Sequence, residues 1–408
     1  MASRNLIAID LGTSALKALA ARETGEAGFE ILAKVYLPHF GIAIRRGEVT
    51  NPQELVNSLA PLIEEIQKKA KIKPKHCLVN VNGPRLFSAF SEGVVSVSRA
   101  DQKISENDIE RVLQQAQAIN LPPNKEVLDV FPKEFIIDEE GGVKYPLDLE
   151  GMRLKVRALL ICAFSPVLES LFKAISESNL EIKDVIPSAL ASSWSCLKEQ
   201  EREVGVCLLD IGAATCGLTV FEEGNLIDFA VFPFGSSHIT NDIAIGLRTK
   251  IETAERIKKE FGFVSSGKKR KKRGKESRDK IELPEKSLVF SKKILQDIIE
   301  ERVSEVFGQV AAELKRISKH QLLPSGVVLT GGGSLLPGLA EFAREELKLP
   351  IRLGRPEGIV GLEADPVFST CAGLLLSCKE NRKRSGGGGE PSEGFKTKLR
   401  KLFKMFLP

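Results

Sequence analysis

An α/β fold made of two related halves facing each other across a cleft is predicted by a stretch that occurs twice. Asn5-Leu-Ile-Ala-Ile-Asp-Leu-Gly-Thr-Ser-Ala-Leu-Lys-Ala-Leu19 and Val206-Cys-Leu-Leu-Asp-Ile-Gly-Ala-Ala-Thr-Cys-Gly-Leu-Thr-Val220 both run apolar strand, Asp, one residue, Gly, small turn, apolar strand. One Asp-x-Gly between strands is a common hairpin signal, but two copies that each open a similar run of elements mark an internal repeat. Each turn offers backbone N–H groups and hydroxyls to an anion, and its aspartate (Asp10 or Asp210) can hold a hydrated Mg2+. Two such turns face to face would grip a triphosphate from both sides.

Composition narrows the class. At 408 residues and 42% hydrophobic content, the chain is long enough for two or more domains with a sizeable core. No apolar run approaches the roughly 18 residues of a spanning helix, and the N-terminus lacks a signal peptide's apolar segment, so a cytoplasmic protein is expected. The 7 cysteines include no Cys-x-x-Cys pair, and Cys77, Cys162, Cys207 and Cys371 sit in apolar patterns, as reduced core thiols do. His39, His76, His238 and His320 are scattered without ligand spacing. The net charge of +5 is uneven: residues 268–280 hold nine basic against two acidic residues, and residues 379–408 hold nine against three. The rest is therefore net acidic, which argues against a nucleic-acid-binding body.

Taken in order, residues 1–82, 166–203 and 361–380 are expected to form the first half. It opens with the strand-turn-strand at 5–22 and a strand at 29–37. A helix follows, with Asn51 as N-cap, Pro52 at its first position, Glu54 completing a capping box, and Leu55, Leu59, Leu62, Ile63 and Ile66 in one stripe. Cys77 to Val81 reads as a central strand. Residues 83–165 change character: strand-like pieces at 93–98, 127–137 and 154–162 surround one helix capped by Ser105 with Asp108 three residues on, a small α/β insertion. Helices at 166–176 and 187–193 flank a strand at 182–186, and the small residues of Pro187-Ser-Ala-Leu-Ala-Ser-Ser193 suit close helix contact at the base of a cleft.

The second half is expected from 204–238 plus 319–360, with strands at 204–210, 215–221 and 226–232. An outer subdomain follows at 239–318, with helices at about 236–247, 251–261 and 290–318 and a basic loop at 264–288 that buries too little surface to order itself. After the strand Gly326–Thr330 come Gly331, Gly332 and Gly333, whose bare backbone can lie flat on a phosphate or purine, and then a helix starting around Leu336. A second small-residue helix, Ser369 to Leu374, pairs with 187–193.

Residues 381–394, with Gly386 to Gly389 and Pro391, read as a flexible linker. Beyond it, residues 395–408 form an amphipathic helix pattern. Phe395, Leu399, Leu402, Phe403 and Phe406 share one face, and Lys396, Lys398, Arg400, Lys401 and Lys404 flank it. At about 1.5 Å per residue this helix is too short to span a bilayer, but it suits the interface. Its cations contribute about 1 kcal/mol each near an anionic leaflet. One copy binds weakly and an array binds firmly. Docking of the helix on the protein's own body is the alternative.

These motifs resemble those of the FtsA family of bacterial cell-division proteins, within the actin/Hsp70 superfamily. Ala8 to Ser14, Leu209 to Thr215 and Val328 to Ser334 are similar to the family's two phosphate motifs and its adenosine motif, and 187–193 and 369–374 to its connecting helices. Val130 to Asp138, Gly151 to Val156, Leu190 to Trp194 and the closing helix are more specific to it. The resemblance implies a duplicated actin-like (ribonuclease H-like) two-domain fold with an interdomain nucleotide cleft and a distinctive small subdomain at 83–165. It implies ATP with Mg2+, filaments of the chain with itself, FtsZ as partner, later division proteins, and a peripheral position on the cytoplasmic side of the membrane at the division site.

Carried over residue by residue, Asp10, Gly12, Thr13, Ser14 and Lys17 would face the phosphates from one side and Asp210, Gly212, Ala213, Ala214 and Thr215 from the other. Asp10 and Asp210 would hold Mg2+ through water. Glu255 and Lys258 would touch ribose and purine, and Gly331 to Gly333 the adenosine. Ser236, Asn241, Arg302 and Glu305 would meet FtsZ, and Phe395, Lys398, Leu399, Lys401, Leu402, Phe403 and Phe406 the membrane. The chain departs from the family at Ala213 and Ala214, where glycines are usual, and at Gly217, where an acid is common, so ATPase turnover is expected to be weak or absent. The basic tract at 268–280 is outside the family pattern; it is either a solvated loop or an added contact for lipid head groups or acidic FtsZ segments. Two other functions fit the same scaffold: a pilus-assembly ATPase of the PilM type, or a small-molecule phosphotransferase, which would need a general base beside the γ-phosphate.

Overall fold

The computed structural model describes residues 5–24, 28–39, 43–265, 280–283, 288–319 and 321–384. Strand β1 (Asn5–Leu11) turns back into β2 (Ala15–Glu23), and β2 pairs onward with β3 (Phe29–Pro38). A short hairpin of β4 (Ile44–Arg45) and β5 (Glu48–Val49) leads into helix α1 (Pro52–Ala70). Its Asn51 cap accepts from the Glu54 N–H at 3.2 Å, and Leu55, Leu59, Leu62 and Ile66 are buried, while Ile63 lies at the margin of the stripe. Strand β6 (His76–Val81) then lies parallel to β1.

The insertion is a four-stranded antiparallel sheet, β7 (Phe87–Ser96), β8 (Lys125–Ile137), β9 (Glu140–Val143) and β10 (Arg153–Phe164), in the order β7-β10-β8-β9. Helix α2 (Glu106–Gln117) packs on it, and its capping box closes in both directions between Ser105 and Asp108. Burial alone would raise the Asp108 carboxyl, but hydrogen bonds from Ser105 and Ser98 hold it at about 2.

The scaffold resumes with α3 (Ser165–Glu177), β11 (Glu181–Pro187), α4 (Ser188–Cys196) and α5 (Glu199–Val204). The second half holds β12 (Val206–Ile211), β13 (Cys216–Glu222), β14 (Asn225–Phe232), α6 (Ser236–Gly246) and α7 (Ile251–Phe261). A hairpin of β15 (Lys280–Leu283) and β16 (Leu288–Ser291) precedes the long α8 (Lys292–Arg316). The rest is β17 (Val327–Thr330), α9 (Leu339–Leu347), β18 (Ile351–Leu353), β19 (Ile359–Val360) and α10 (Ser369–Arg384).

The duplication is explicit in the strand orders. The first sheet runs β11-β6-β1-β2-β3 with β19 added at its edge, and the second runs β18-β17-β12-β13-β14. The registers coincide as well: Asp10 pairs with Lys17 in one hairpin and Asp210 with Gly217 in the other. The fold is thus the duplicated α/β architecture expected, and helices α4 and α10 cross between the two sheets. Every residue of α4 is buried. At the crossing a side chain on Gly373 would overlap the Ala191 carbonyl, so the two backbones touch there.

Several local expectations change. The tract at 264–288 is not wholly a loop: Leu283 is buried in the β15–β16 pairing, and Val264 donates to the Pro337 carbonyl at 2.8 Å. Residues 381–384 continue α10 rather than opening the linker, because no Gly or Pro interrupts the chain until Gly386. A 3-10 turn, Gly332–Leu335, and the Pro337-Gly338 pair delay α9 to Leu339, Gly338 taking φ +83°. Residues 268–279 of the basic tract and the whole 395–408 segment, with Phe395, Lys398, Leu399, Lys401, Leu402, Phe403 and Phe406, lie outside the described residues.

Two glycines should respond oppositely to alanine. Gly373→Ala should cost about 3 kcal/mol or more by forcing α4 and α10 apart. Gly308→Ala, mid-α8 with nothing within 4 Å of the added methyl, should gain about 0.5–1 kcal/mol. Urea unfolding of both variants checks this, and an unweakened Gly373→Ala protein would show that the helices do not meet there.

Candidate functional site

Both acidic hairpins deliver their carboxylates to the same helix. Asp10, at the end of β1, accepts from Asn80 Nδ2 at 2.8 Å, and that amide also donates to Ser188 Oγ at 2.8 Å. Asp210, at the end of β12, accepts from Ser192 Oγ at 2.6 Å. Ser188 and Ser192 are one turn apart on α4, so the two acids are anchored to one face of one helix. Thr370, on α10, lies 3.0 Å from Ser192 and 3.4 Å from Asp210. Asp10 and Asp210 thus converge at the base of one cleft.

Their electrostatics differ. Lys17, across the hairpin from Asp10, pairs with it at 2.5 Å and also donates to the Val367 carbonyl at 3.2 Å. Burial is the largest single influence and lowers the Lys17 pKa, but the charge and hydrogen bond of Asp10 together with Cys371 and Asp210 outweigh it and the pKa is raised, so the ammonium stays charged. Asp210 has glycine at the equivalent register position. Burial raises its carboxyl above the ordinary range and the Asp10 charge pushes the same way, against the hydroxyl of Ser192 and the more distant Lys17.

The turns are shaped to receive an anion. Among the described residues, the N–H groups of Thr13 and Ser14 on one turn and of Ala213 and Ala214 on the other have no hydrogen-bond partner. Gly12 and Gly212 make the tight bends, where an added side chain would press on the carbonyl of the residue three positions on, Ala15 or Thr215. Thr13 Oγ1 accepts from Gly47 N at 3.1 Å, and Thr215 Oγ1 accepts from Asn82 Nδ2 at 3.0 Å. The glycine triplet is also shaped by packing within the chain. A side chain on Gly331 would collide with Asp210, and one on Gly333 would lie 2.5 Å from the Ile211 side chain, so both are demanded by the chain's own packing. Gly332 has open space, its nearest neighbour being 3.9 Å away.

Beside this cleft, Glu255 and Lys258 on α7 pair at 2.7 Å. Lys258 also donates to the Ser236 carbonyl at 3.1 Å and to Thr240 Oγ1 at 2.8 Å. Burial raises Glu255, yet the Lys258 charge holds it below the ordinary range, whereas for Lys258 burial prevails over Glu255 and lowers the pKa. Ser236, expected at the partner surface, is half-buried, and its N–H donates to the Gly212 carbonyl at 2.9 Å, so α6 starts directly on the second turn. The other residues of that surface gather apart from it. Arg302 forks onto Asp242 at 2.6 and 3.0 Å and reaches Glu305 at 2.5 Å, with Asn241 exposed beside Asp242. Asn80, Asn82, Ser188, Ser192 and Thr370 were not singled out from the sequence. The available signal was an Asn-Val-Asn alternation closing an otherwise apolar strand.

With that geometry in view, two family models match the chain. One, described as Cell division protein FtsA, matches residues 207–373, and one described as SHS2 domain inserted in FTSA matches residues 83–162. Proteins named Cell division protein FtsA are similar over most of their length: that of Pseudomonas aeruginosa is 34% identical, covering 91% of this chain and 88% of that protein. Those of Neisseria meningitidis (33%; 95% and 96%) and Bacillus subtilis (30%; 92% and 84%) follow. Among solved structures, a PilM-PilN type IV pilus biogenesis complex matches with TM-score 0.65 at 19% identity over 91% of this chain and 98% of that one. MreB5 of Spiroplasma citri bound to ADP matches with TM-score 0.56 at 14% identity over 94% and 99%. At those identities the structures establish the fold alone, which is actin-like.

The raised Asp210 carboxyl gives a signed expectation. An acid whose folded pKa lies above its unfolded value costs stability once pH exceeds that unfolded value, near 3.8. Asp210→Asn should therefore raise the unfolding midpoint of the ligand-free protein at pH 7, by about 1 kcal/mol or roughly 2–3 °C. The gain should shrink as pH falls through the raised folded value toward the unfolded value near 3.8. Thermal scans from pH 4 to 8 check this, and an equal gain at every pH would assign the effect to packing.

Proposed function

The chain belongs to the FtsA family of cell division proteins, and from that premise we propose that it binds ATP with Mg2+ in its cleft, assembles into actin-like filaments and tethers the FtsZ ring to the cytoplasmic membrane. The observation that carries the nucleotide reading is the convergence of Asp10 and Asp210 on one face of α4, beneath two turns in which the N–H groups of Thr13, Ser14, Ala213 and Ala214 have no partner among the described residues. This donor set fits a magnesium nucleotide: hard carboxylate oxygens for a hydrated cation, and amide hydrogens with Lys17 for phosphate oxygens. Bound there, Mg2+ would neutralise phosphate charge. Glu255 and Lys258 would receive the ribose and purine, and Gly332 offers the open backbone of the third motif.

Holding nucleotide is favoured over consuming it. The side chains around the two acids are amides and hydroxyls (Asn80, Ser188, Ser192, Thr370), and Asp10 is committed to Lys17. At Gly217, where relatives of this superfamily commonly carry an acid, a side chain would lie 2.6 Å from the Ala189 methyl of α4. Turnover is therefore weak or absent, and a phosphotransferase, which needs a general base, is the poorer reading.

FtsZ would meet the surface of α6 and α8 around Arg302, with Asn241 and Glu305. The amphipathic segment 395–408 would lie in the cytoplasmic leaflet and act by avidity once filaments form. Among the described residues no helix is long and apolar enough to cross a membrane.

Sedimentation with anionic vesicles tests the combination. Full-length protein with MgATP should pellet with vesicles and recruit FtsZ, deletion of 395–408 should abolish pelleting, and phosphate release should stay near background. Undiminished vesicle binding by the deletion variant would defeat the tether, and fast ATP hydrolysis would defeat the holding role.

A further inference from the structure

Asn80 near the end of strand β6 and Asn82 just beyond it serve different halves. Asn80 stays within its own half, on Asp10. Asn82, two residues on, reaches across the cleft, its Nδ2 donating to Thr215 Oγ1 on the second half's phosphate turn at 3.0 Å. Its orientation is fixed from the first half. Its Oδ1 accepts from the Gly83 N–H at 2.8 Å, and its Cβ packs on Gly47, where an added side chain would lie 3.1 Å from it. Gly83 (φ +126°) has Glu48 in the space a side chain would need, and Glu48 is gripped by Arg85 Nε at 3.0 and 2.8 Å. The β4–β5 hairpin that carries Gly47 also holds the first turn, through Gly47 N to Thr13 Oγ1.

We infer that Asn82 is the clasp of the cleft: its bond to Thr215 holds the two phosphate turns together and sets how fast a bound nucleotide leaves. The inference rests on the reading of the cleft as an ATP site for its effect on release, but the clasp itself is a property of the two halves. When the halves part, the turn carrying Thr215 moves away from β6 and this bond must break. Both partners are neutral, so the clasp is insensitive to salt and to pH between about 5 and 9, unlike a salt bridge. A net bond of this kind changes an opening equilibrium by about 2- to 12-fold.

Two measurements on the full chain test it. Release of a fluorescent ATP analogue with Mg2+, chased by excess ATP, should be about 2- to 12-fold faster in Asn82→Ala and in Thr215→Val. The double variant should be no faster than either single one, and Thr215→Ser, which keeps the hydroxyl, should release more slowly than Thr215→Val. In nucleotide-free protein, hydrogen exchange in peptides spanning 5–16 and 206–216 should rise in the same two variants and less in Thr215→Ser. Additive effects on release, or a Thr215→Ser protein that behaves as Thr215→Val does, would overturn the clasp. If the wild type retains no nucleotide, the ATP reading fails by itself and the exchange data decide: faster exchange in Asn82→Ala and Thr215→Val supports the clasp, and unchanged exchange overturns it.

Discussion

The structure depends on one buried helix serving two masters. Helix α4 has no exposed residue, and Ser188 and Ser192, one turn apart, tie it to the acid of the first hairpin through Asn80 and to the acid of the second directly. A buried carboxylate without partners costs several kcal/mol, so each acid fixes the position of the sheet that carries it relative to α4. The small side chains have a matching reason. Only with Ala191 opposite Gly373, and Ala189 opposite Gly217, can α4 approach both α10 and β13 closely enough for Ser192 to reach Asp210. Helix packing and site geometry are therefore a single constraint.

The duplication supplies symmetry, and the residues break it. The same register position is Lys17 in the first hairpin and Gly217 in the second. One acid is thereby compensated by an internal cation, while the other relies on hydroxyl donors. Such a pair is predisposed to a ligand that brings positive charge to one side only. At the second turn the half-buried Ala213 and Ala214 keep N–H groups that lack partners among the described residues.

Local chemistry carried much of this fold in plain view. The repeated apolar strand, Asp, x, Gly pattern marks both hairpins, Asn51 and Ser105 announce their helices, and the stripe from Leu55 to Ile66 faces inward as its period requires. What escaped depends on tertiary contact. An asparagine in a buried strand reads as a tolerated polar residue until Asp10 and Thr215 are seen beside Asn80 and Asn82. The glycine triplet reads as a ligand surface, although Asp210 and Ile211 are what demand two of its members. That α6 begins on Gly212, with the Ser236 N–H spent on the second turn, is likewise not signalled by anything local. Short edge strands such as Ile351–Leu353 and Glu140–Val143 have too few residues for an alternating pattern to show.

The same features explain why a cleft of this kind would answer to a magnesium nucleotide. Closure buries Asp210 and keeps it near Asp10, and burial first, with the Asp10 charge adding to it, raises the Asp210 carboxyl. Opposing this cost is the neutral bond that crosses between the halves, Asn82 to Thr215, worth only about 1 kcal/mol net. Open and closed forms are then separated by the small difference of these terms, and a ligand that offsets the cost shifts the balance by its differential affinity for the closed form. At a concentration 100 times its dissociation constant, a ligand bound only to the closed form contributes about 2.7 kcal/mol, more than the neutral bond. In the proposed reading the nucleotide is thus a structural member of the closed subunit, and a polymer built from closed subunits would last as long as the nucleotide stays.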